Sequence, residues 1–189
     1  MKLEEYIEMF AEEFDRQRIS DTAQLKKEFQ ISKNQTEWKA FLNHLFEKCY
    51  LLQMQDSKNP VKYMVVHILR ASVRCKNYEY MFALYDEQLY FDRQEVCSYW
   101  SFPGFQEIAD NTIKHFTSLI RKKCIRVPES EIKEVCEWYL LSLMKEMSSV
   151  LLEAIVSAEE LSWFQKVEKS ENFGIYTGEY MESIEKLKF

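Results

Sequence analysis

A chain of 189 residues with three glycines and three prolines has few places to turn sharply. Tight hairpins need a positive φ or a preset φ, which Gly and Pro supply at little cost. Sandwiches and barrels built from strands alone use such turns at short intervals. Scarcity of both residues therefore predicts long helices, and the fold class it implies is mainly α, a helical bundle. Hydrophobic residues at 47% can fill a core, and 15% aromatics make its side chains large.

Helical spacing recurs along most of the chain. Leu3, Tyr6, Ile7, Phe10 and Phe14 step by three and four and predict a helix ending near Arg18. Asp21 can cap a short second helix with Leu25 and Phe29 inward. Asn34 and Glu37 have capping-box spacing ahead of a helix carrying Trp38, Phe41, Leu42, Leu45, Phe46 and Cys49. Helical period returns at His67, is interrupted at SFPGF (101–105), and resumes through Phe105, Ile108, Ala109, Thr112, Ile113, Phe116 and Ile120. A long helix over 129–157 follows, about 40 Å in length. Trp138, Leu141 and Leu152 lie off its main stripe, which marks a central helix or one with a partner. Gly174 and Gly178 predict a hinged tail ending in a short amphipathic helix with Met181, Ile184 and Leu187.

Two stretches are ambiguous. Residues 50–66, YLLQMQDSKNPVKYMVV, place a turn-rich centre between β-branched and aromatic flanks, and Val61, Tyr63 and Val65 alternate. One β-hairpin is predicted there. In residues 77–92, NYEYMFALYDEQLYFD, the helical reading puts Tyr78, Met81, Phe82 and Tyr85 on one stripe. The strand reading puts Tyr78, Tyr80, Phe82 and Leu84 on one face. The helix absorbs more apolar residues and is preferred. It leaves Asp86, Glu87 and Asp92 as solvated carboxylates, and Tyr80 and Tyr90 as recognition candidates beside Trp138.

With Leu25 and Phe29 on one helix, QIS as a turn, and Trp38, Leu42 and Leu45 on the next, residues 22–52 resemble a helix-turn-helix. With the predicted hairpin, residues 22–66 resemble a winged-helix module. The resemblance implies an N-terminal module over 1–66, a helical bundle over 67–189, and nucleic-acid contacts from Lys33, Gln35, Thr36 and Lys39.

Charge is unevenly spread: the middle third is net basic and the last third net acidic. Arg70, Arg74, Lys114, Arg121, Lys122, Lys123 and Arg126 are therefore candidates for an anionic ligand, although cations near a helix C-terminus also offset its dipole. The histidines are far apart, and the Glu-x-x-His pairs of a bundle di-iron site are absent, so no metal or other cofactor is expected. The five cysteines form no CxxC pair and fit a reducing, cytoplasmic setting. Cys75, between Arg74 and Lys76, has a cationic setting that favours a thiolate. The N-terminus lacks the basic start and apolar run of a signal peptide, and WYLLSLM and VLLEAIV are too short to span a membrane. No nucleophile elbow, phosphate loop or zinc-protease motif is present. These observations predict a non-enzymatic regulatory or binding protein acting through a protein partner or as a homodimer. A DNA-binding regulator using residues 22–66 and a small-ligand-binding protein are the alternatives.

Overall fold

The computed structural model describes residues 2–156 and 160–186. In chain order the elements are α1 (Leu3–Met9), α2 (Ala11–Phe29), α3 (Ser32–Gln53), β1 (Val61–Ile68), α4 (Arg70–Arg74), β2 (Glu79–Tyr85), β3 (Val96–Ser101), α5 (Phe105–Lys123), α6 (Glu129–Val156), α7 (Ser162–Lys166), β4 (Lys169–Glu179) and β5 (Ile184–Lys186). The strands form one mixed sheet in the order β3-β2-β1-β4-β5. β1 pairs antiparallel with β2 and parallel with β4, so the C-terminal segment returns to lie beside the first strand. The fold is α/β, and the expectation of a mainly α bundle is corrected.

The sheet has two unlike faces. Met64, Val66, Ile68, Tyr80, Phe82, Leu84, Val96 and Ile175 join the buried side chains of the helices in one core. Val65, Met81, Ala83 and Tyr85 form a separate cluster on the opposite face, and among the described residues no α-helix contributes to it. Period-2 alternation of side chains forces this split. Within the helical layer, α5 and α6 fall where their periodicity places them, and Ile132, Val135, Tyr139, Leu143, Met147 and Leu151 of α6 are buried. The end of the expected long helix at Ser157 lies outside the described residues.

Several local expectations are overturned. The predicted hairpin at 50–66 does not form: Tyr50 to Gln53 are the last turn of α3, and β1 is the central strand. β1 runs straight through the 66/67 boundary drawn from the sequence. The helix predicted over 78–85 is strand β2, because β1 and β3 flank it and pair with its backbone on both sides. Tyr80 is fully buried, and its hydroxyl donates to the Met144 carbonyl of α6 (2.9 Å), so it is core and not a recognition residue. Gly174 and Gly178 lie inside β4, and Ile184 pairs with Gly178 in β5. A Cβ at Gly178 would sit 2.5 Å from the Ser183 carbonyl oxygen, so the glycine serves a close strand approach and not a hinge. The expected helical role of Leu187 lies outside the described residues.

Asp21 illustrates how the helical layer is joined. It caps nothing: α2 runs unbroken through it. Its buried carboxylate accepts hydrogen bonds from Gln17 (2.7 Å), Thr112 of α5 (2.9 Å) and Tyr139 of α6 (2.9 Å). Burial and the adjacent carboxylate push the Tyr139 hydroxyl well above its usual range, keeping it a donor. A buried carboxylate is tolerated only when its oxygens are satisfied this way. Replacing Asp21 with Ala strands two buried hydroxyls and is expected to cost about 3 kcal/mol in urea unfolding, whereas Tyr80→Phe is expected to cost about 1 kcal/mol with the fold retained.

Candidate functional site: the helix-free face of the sheet

β1, β2, β3 and β4 present Tyr63, Val65, His67, Met81, Ala83, Tyr85, Cys97, Tyr99 and Tyr176 on the face that no helix covers. A solvent-facing sheet surface ordinarily alternates to polar residues. Here the central positions carry no charged residue. Two segments shield part of this face. A 3₁₀ turn at Leu89–Phe91 lays Leu89 and Tyr90 over it, and the residues after β4 bring in Tyr180. Phe91 (85% exposed) and Met181 (61%) on the covering segments, with Tyr99 (53%) and Tyr180 (39%), remain open to solvent.

His67 occupies the shielded centre and has no exposed surface. The rings of Tyr85, Tyr90 and Tyr180 surround it with centroids 5.9, 5.7 and 5.3 Å away. Its Nε2 lies 3.2 Å from the Tyr85 hydroxyl, and its Nδ1 has no hydrogen-bond partner among the described residues. Burial pushes the imidazole down to about 4 and the Tyr85 hydroxyl well up, so both are neutral near pH 7. Among the described residues no carboxylate accepts a hydrogen bond from the ring to orient it, and no substrate can reach it without moving a tyrosine. The cluster holds the face together and does not form an acid–base pair open to substrate. Tyr63 and Tyr176 make a second aromatic pair (5.3 Å) on the same face.

The covering segment is tied down by groups that the sequence reading left in solvent. Asp86 and Asp92 are buried, which corrects that expectation. Lys58 is buried as well; its ammonium pairs with Asp92 and donates to the Leu84 carbonyl (3.0 Å). Asp92 also accepts from the Asp86 amide, and Asp86 accepts from Asn59. Tyr90 sits in the cover, half-buried, with its hydroxyl 3.5 Å from the Glu182 carbonyl oxygen. Leu89 and Met181, on the two covering segments, both adopt left-handed backbone at φ 52° and 62°. That conformation disfavours side chains with a Cβ, and such positions concentrate at functional sites.

The other candidates are dispersed. Arg70 is held by Glu179 and lies 3.7 Å from Glu182; Arg74 lies 3.7 Å from Glu137. Arg121 pairs with Glu129 (2.5 Å) and Lys123 with Glu13 (2.7 Å). Carboxylates thus already occupy four of the proposed anion contacts, while Lys114, Lys122 and Arg126 are exposed. Hydrogen bonds from Arg70 and Lys145 lower the Glu179 carboxyl. Gln35 donates to the Phe29 carbonyl at the α2–α3 corner, while Thr36 donates to the Ser32 carbonyl and Lys33 lies near Glu37 (3.7 Å), both within α3; Lys39 is exposed. Trp138 packs on Phe14 (5.5 Å). Sequence reasoning missed His67, Tyr99, Tyr176, Tyr180 and Phe91. The alternation of Tyr63 and Val65, continued to His67, was the signal for this face.

Among the described residues no group of three or more His, Cys, Asp or Glu is arranged to hold a metal ion, and no helix is long and apolar enough to cross a membrane.

His67 ties acid stability to this face. The unfolded chain takes up a proton near pH 6.5 that the native imidazole refuses until about 4. Stability is therefore complete above pH 6.5 and falls as pH drops towards 4, by about 3 kcal/mol at most. In urea titrations across that window His67→Gln is expected to flatten the dependence relative to the parent. Compared with known proteins, the chain matches no family model, no curated protein and no solved structure, so the face itself carries the functional reading.

Proposed function

We propose that the chain is a non-enzymatic binding protein that docks a protein partner across the helix-free face of its sheet. One observation carries this reading: the centre of a sheet face that faces no helix is built from aromatic and apolar residues, with no charge. Interfaces enrich tyrosine, phenylalanine and methionine and deplete charge at their centres. Phe91, Tyr99, Tyr180 and Met181 supply that composition at exposed positions. Tyrosine contributes large contact area with few rotatable bonds. The partner therefore presents an apolar, uncharged surface, since a charge buried here would find no counter-charge. A phosphate backbone is a poor fit to this face, because Lys62 and Lys186 beside it are drawn over the rings of Tyr63 and Tyr176 at 5.6 and 6.0 Å. Unpaired Cys49, Cys75, Cys97, Cys124 and Cys136 support a reducing, cytoplasmic setting.

A photo-crosslinking residue placed at position 99 in the native host tests the reading. A discrete adduct is expected at position 99, none at Lys26 on the exposed side of α2, and loss of the adduct when Phe91→Asp and Met181→Asp are introduced together. An adduct of twice the chain mass identifies a second copy as the partner. Absence of any adduct at position 99, or equal labelling at position 26, overturns the proposal.

A further inference from the structure

A separate cavity of about 340 Å³ opens between α4, α5 and α6. Its walls are apolar: Val73, Ile132 and Leu140 are buried, and Ile113 of α5 closes one side. Tyr78 and Cys136 complete the lining. Tyr78 is 1% exposed, and its hydroxyl has no hydrogen-bond partner among the described residues. A buried hydroxyl without a partner costs on the order of a hydrogen bond, so natural interiors rarely leave one. Phe105 fixes the Tyr78 ring at a centroid distance of 5.2 Å. Tyr78 and Lys76 both hold left-handed backbone, at φ 51° and 59°, in the link between α4 and β2.

The rim is cationic. Arg74, Lys76 and Lys133 line it with Glu129 and Glu137. Glu137 is shared between Arg74 (3.7 Å) and Lys133 (3.6 Å), and Glu129 is turned to Arg121. Lys76 is exposed and has no carboxylate within ion-pair distance among the described residues. An apolar cavity, an unpaired buried donor and an unpaired cation two residues away in the chain are complementary to one kind of small molecule.

We propose that this cavity binds a small carboxylic acid with an aromatic or aliphatic body. The body fills the space between Val73, Ile113, Ile132 and Leu140. The carboxylate pairs with the Lys76 ammonium at the mouth, and a small movement of the Tyr78 ring, whose hydroxyl is closed off in the free protein, lets it also accept a hydrogen bond from that hydroxyl. Burial keeps the Tyr78 hydroxyl protonated and so a donor. A dicarboxylate is disfavoured, because its second charge would lie against apolar walls. The inference is independent of the sheet-face reading, since the helical layer forms the cavity.

Isothermal titration with 3-phenylpropionate, and with 3-phenylpropionamide as its neutral counterpart, tests the proposal on the full chain. The acid is expected to bind one to one and to raise the melting temperature with concentration; the amide is expected to bind at least tenfold more weakly. Lys76→Gln should weaken the acid about tenfold and leave the amide unchanged. Tyr78→Phe should weaken the acid while leaving the melting temperature of the free protein equal or higher, because it removes an unpaired group. If Tyr78→Phe lowers the melting temperature of the free protein, the hydroxyl is structural and the proposal fails. No binding of the acid, equal binding of acid and amide, or binding indifferent to both substitutions also overturns it.

Discussion

Parallel pairing of β1 with β4 is the contact on which the rest of this structure depends. Val61 to Ile68 pair with Lys169 to Glu179 across more than half the chain. That pairing makes β1 the central strand, fixes which alternate residues face the helices, and leaves the other set without a helical cover. A parallel pair also needs a long crossover, and this one carries α4, β2, β3, α5, α6 and α7. α4 to α7 therefore lie within the closure of one strand pair, while α1 to α3 precede it. Loss of β4 would expose the edge of β1 and release Glu179 from Arg70 and Lys145 together.

Buried polar groups brace each layer from within. Asp21 joins α2, α5 and α6 through three donors, and Lys58 ties the loop after β2 to the strand it leaves. Each is satisfied within the protein, which is the condition for a buried charge to persist. Six buried side-chain atoms among the described residues have no hydrogen-bond partner, and His67 Nδ1 and the Tyr78 hydroxyl are two of them. One lies under the aromatic sheet face and the other belongs to a residue that lines the apolar cavity. Four of the six residues with left-handed backbone and a side chain, Lys76, Tyr78, Leu89 and Met181, lie in the link beside that cavity or in the segments covering that face. Each of the two regions thus combines one unmet hydrogen-bonding group with two strained backbone positions.

Scarcity of glycine misled the reading of fold class for a specific reason. The turns around this sheet are made by residues with a Cβ: Asp56 precedes β1, Lys76 and Tyr78 precede β2, Leu89 precedes β3, and Met181 joins β4 to β5. The surrounding packing holds these residues in a conformation that glycine would adopt freely. Strand β2 was misread because Tyr78, Met81, Phe82 and Tyr85 satisfy a helical stripe while both faces of the strand are apolar. A strand buried on both sides loses the alternation that identifies it. Its acids were misplaced for the same reason: Asp86 and Asp92 become buried only when Lys58 arrives from the preceding loop.

Local chemistry was enough for α5 and α6, whose stripes need no distant partner to be recognised, and for the break at SFPGF, where Gly104 takes the left-handed conformation at the start of α5. Alternation at Tyr63 and Val65 marked a strand, and one of the two readings of 78–84 placed Tyr80, Phe82 and Leu84 correctly on one face. The neighbours of those strands, the face left open and the residues meeting in the cavity were decided by tertiary structure alone. β1 finds β4, Tyr78 finds Cys136, and His67 finds Tyr180 across separations that periodicity does not encode. A sequence specifies which side of an element is apolar; only the closed chain specifies what that side meets.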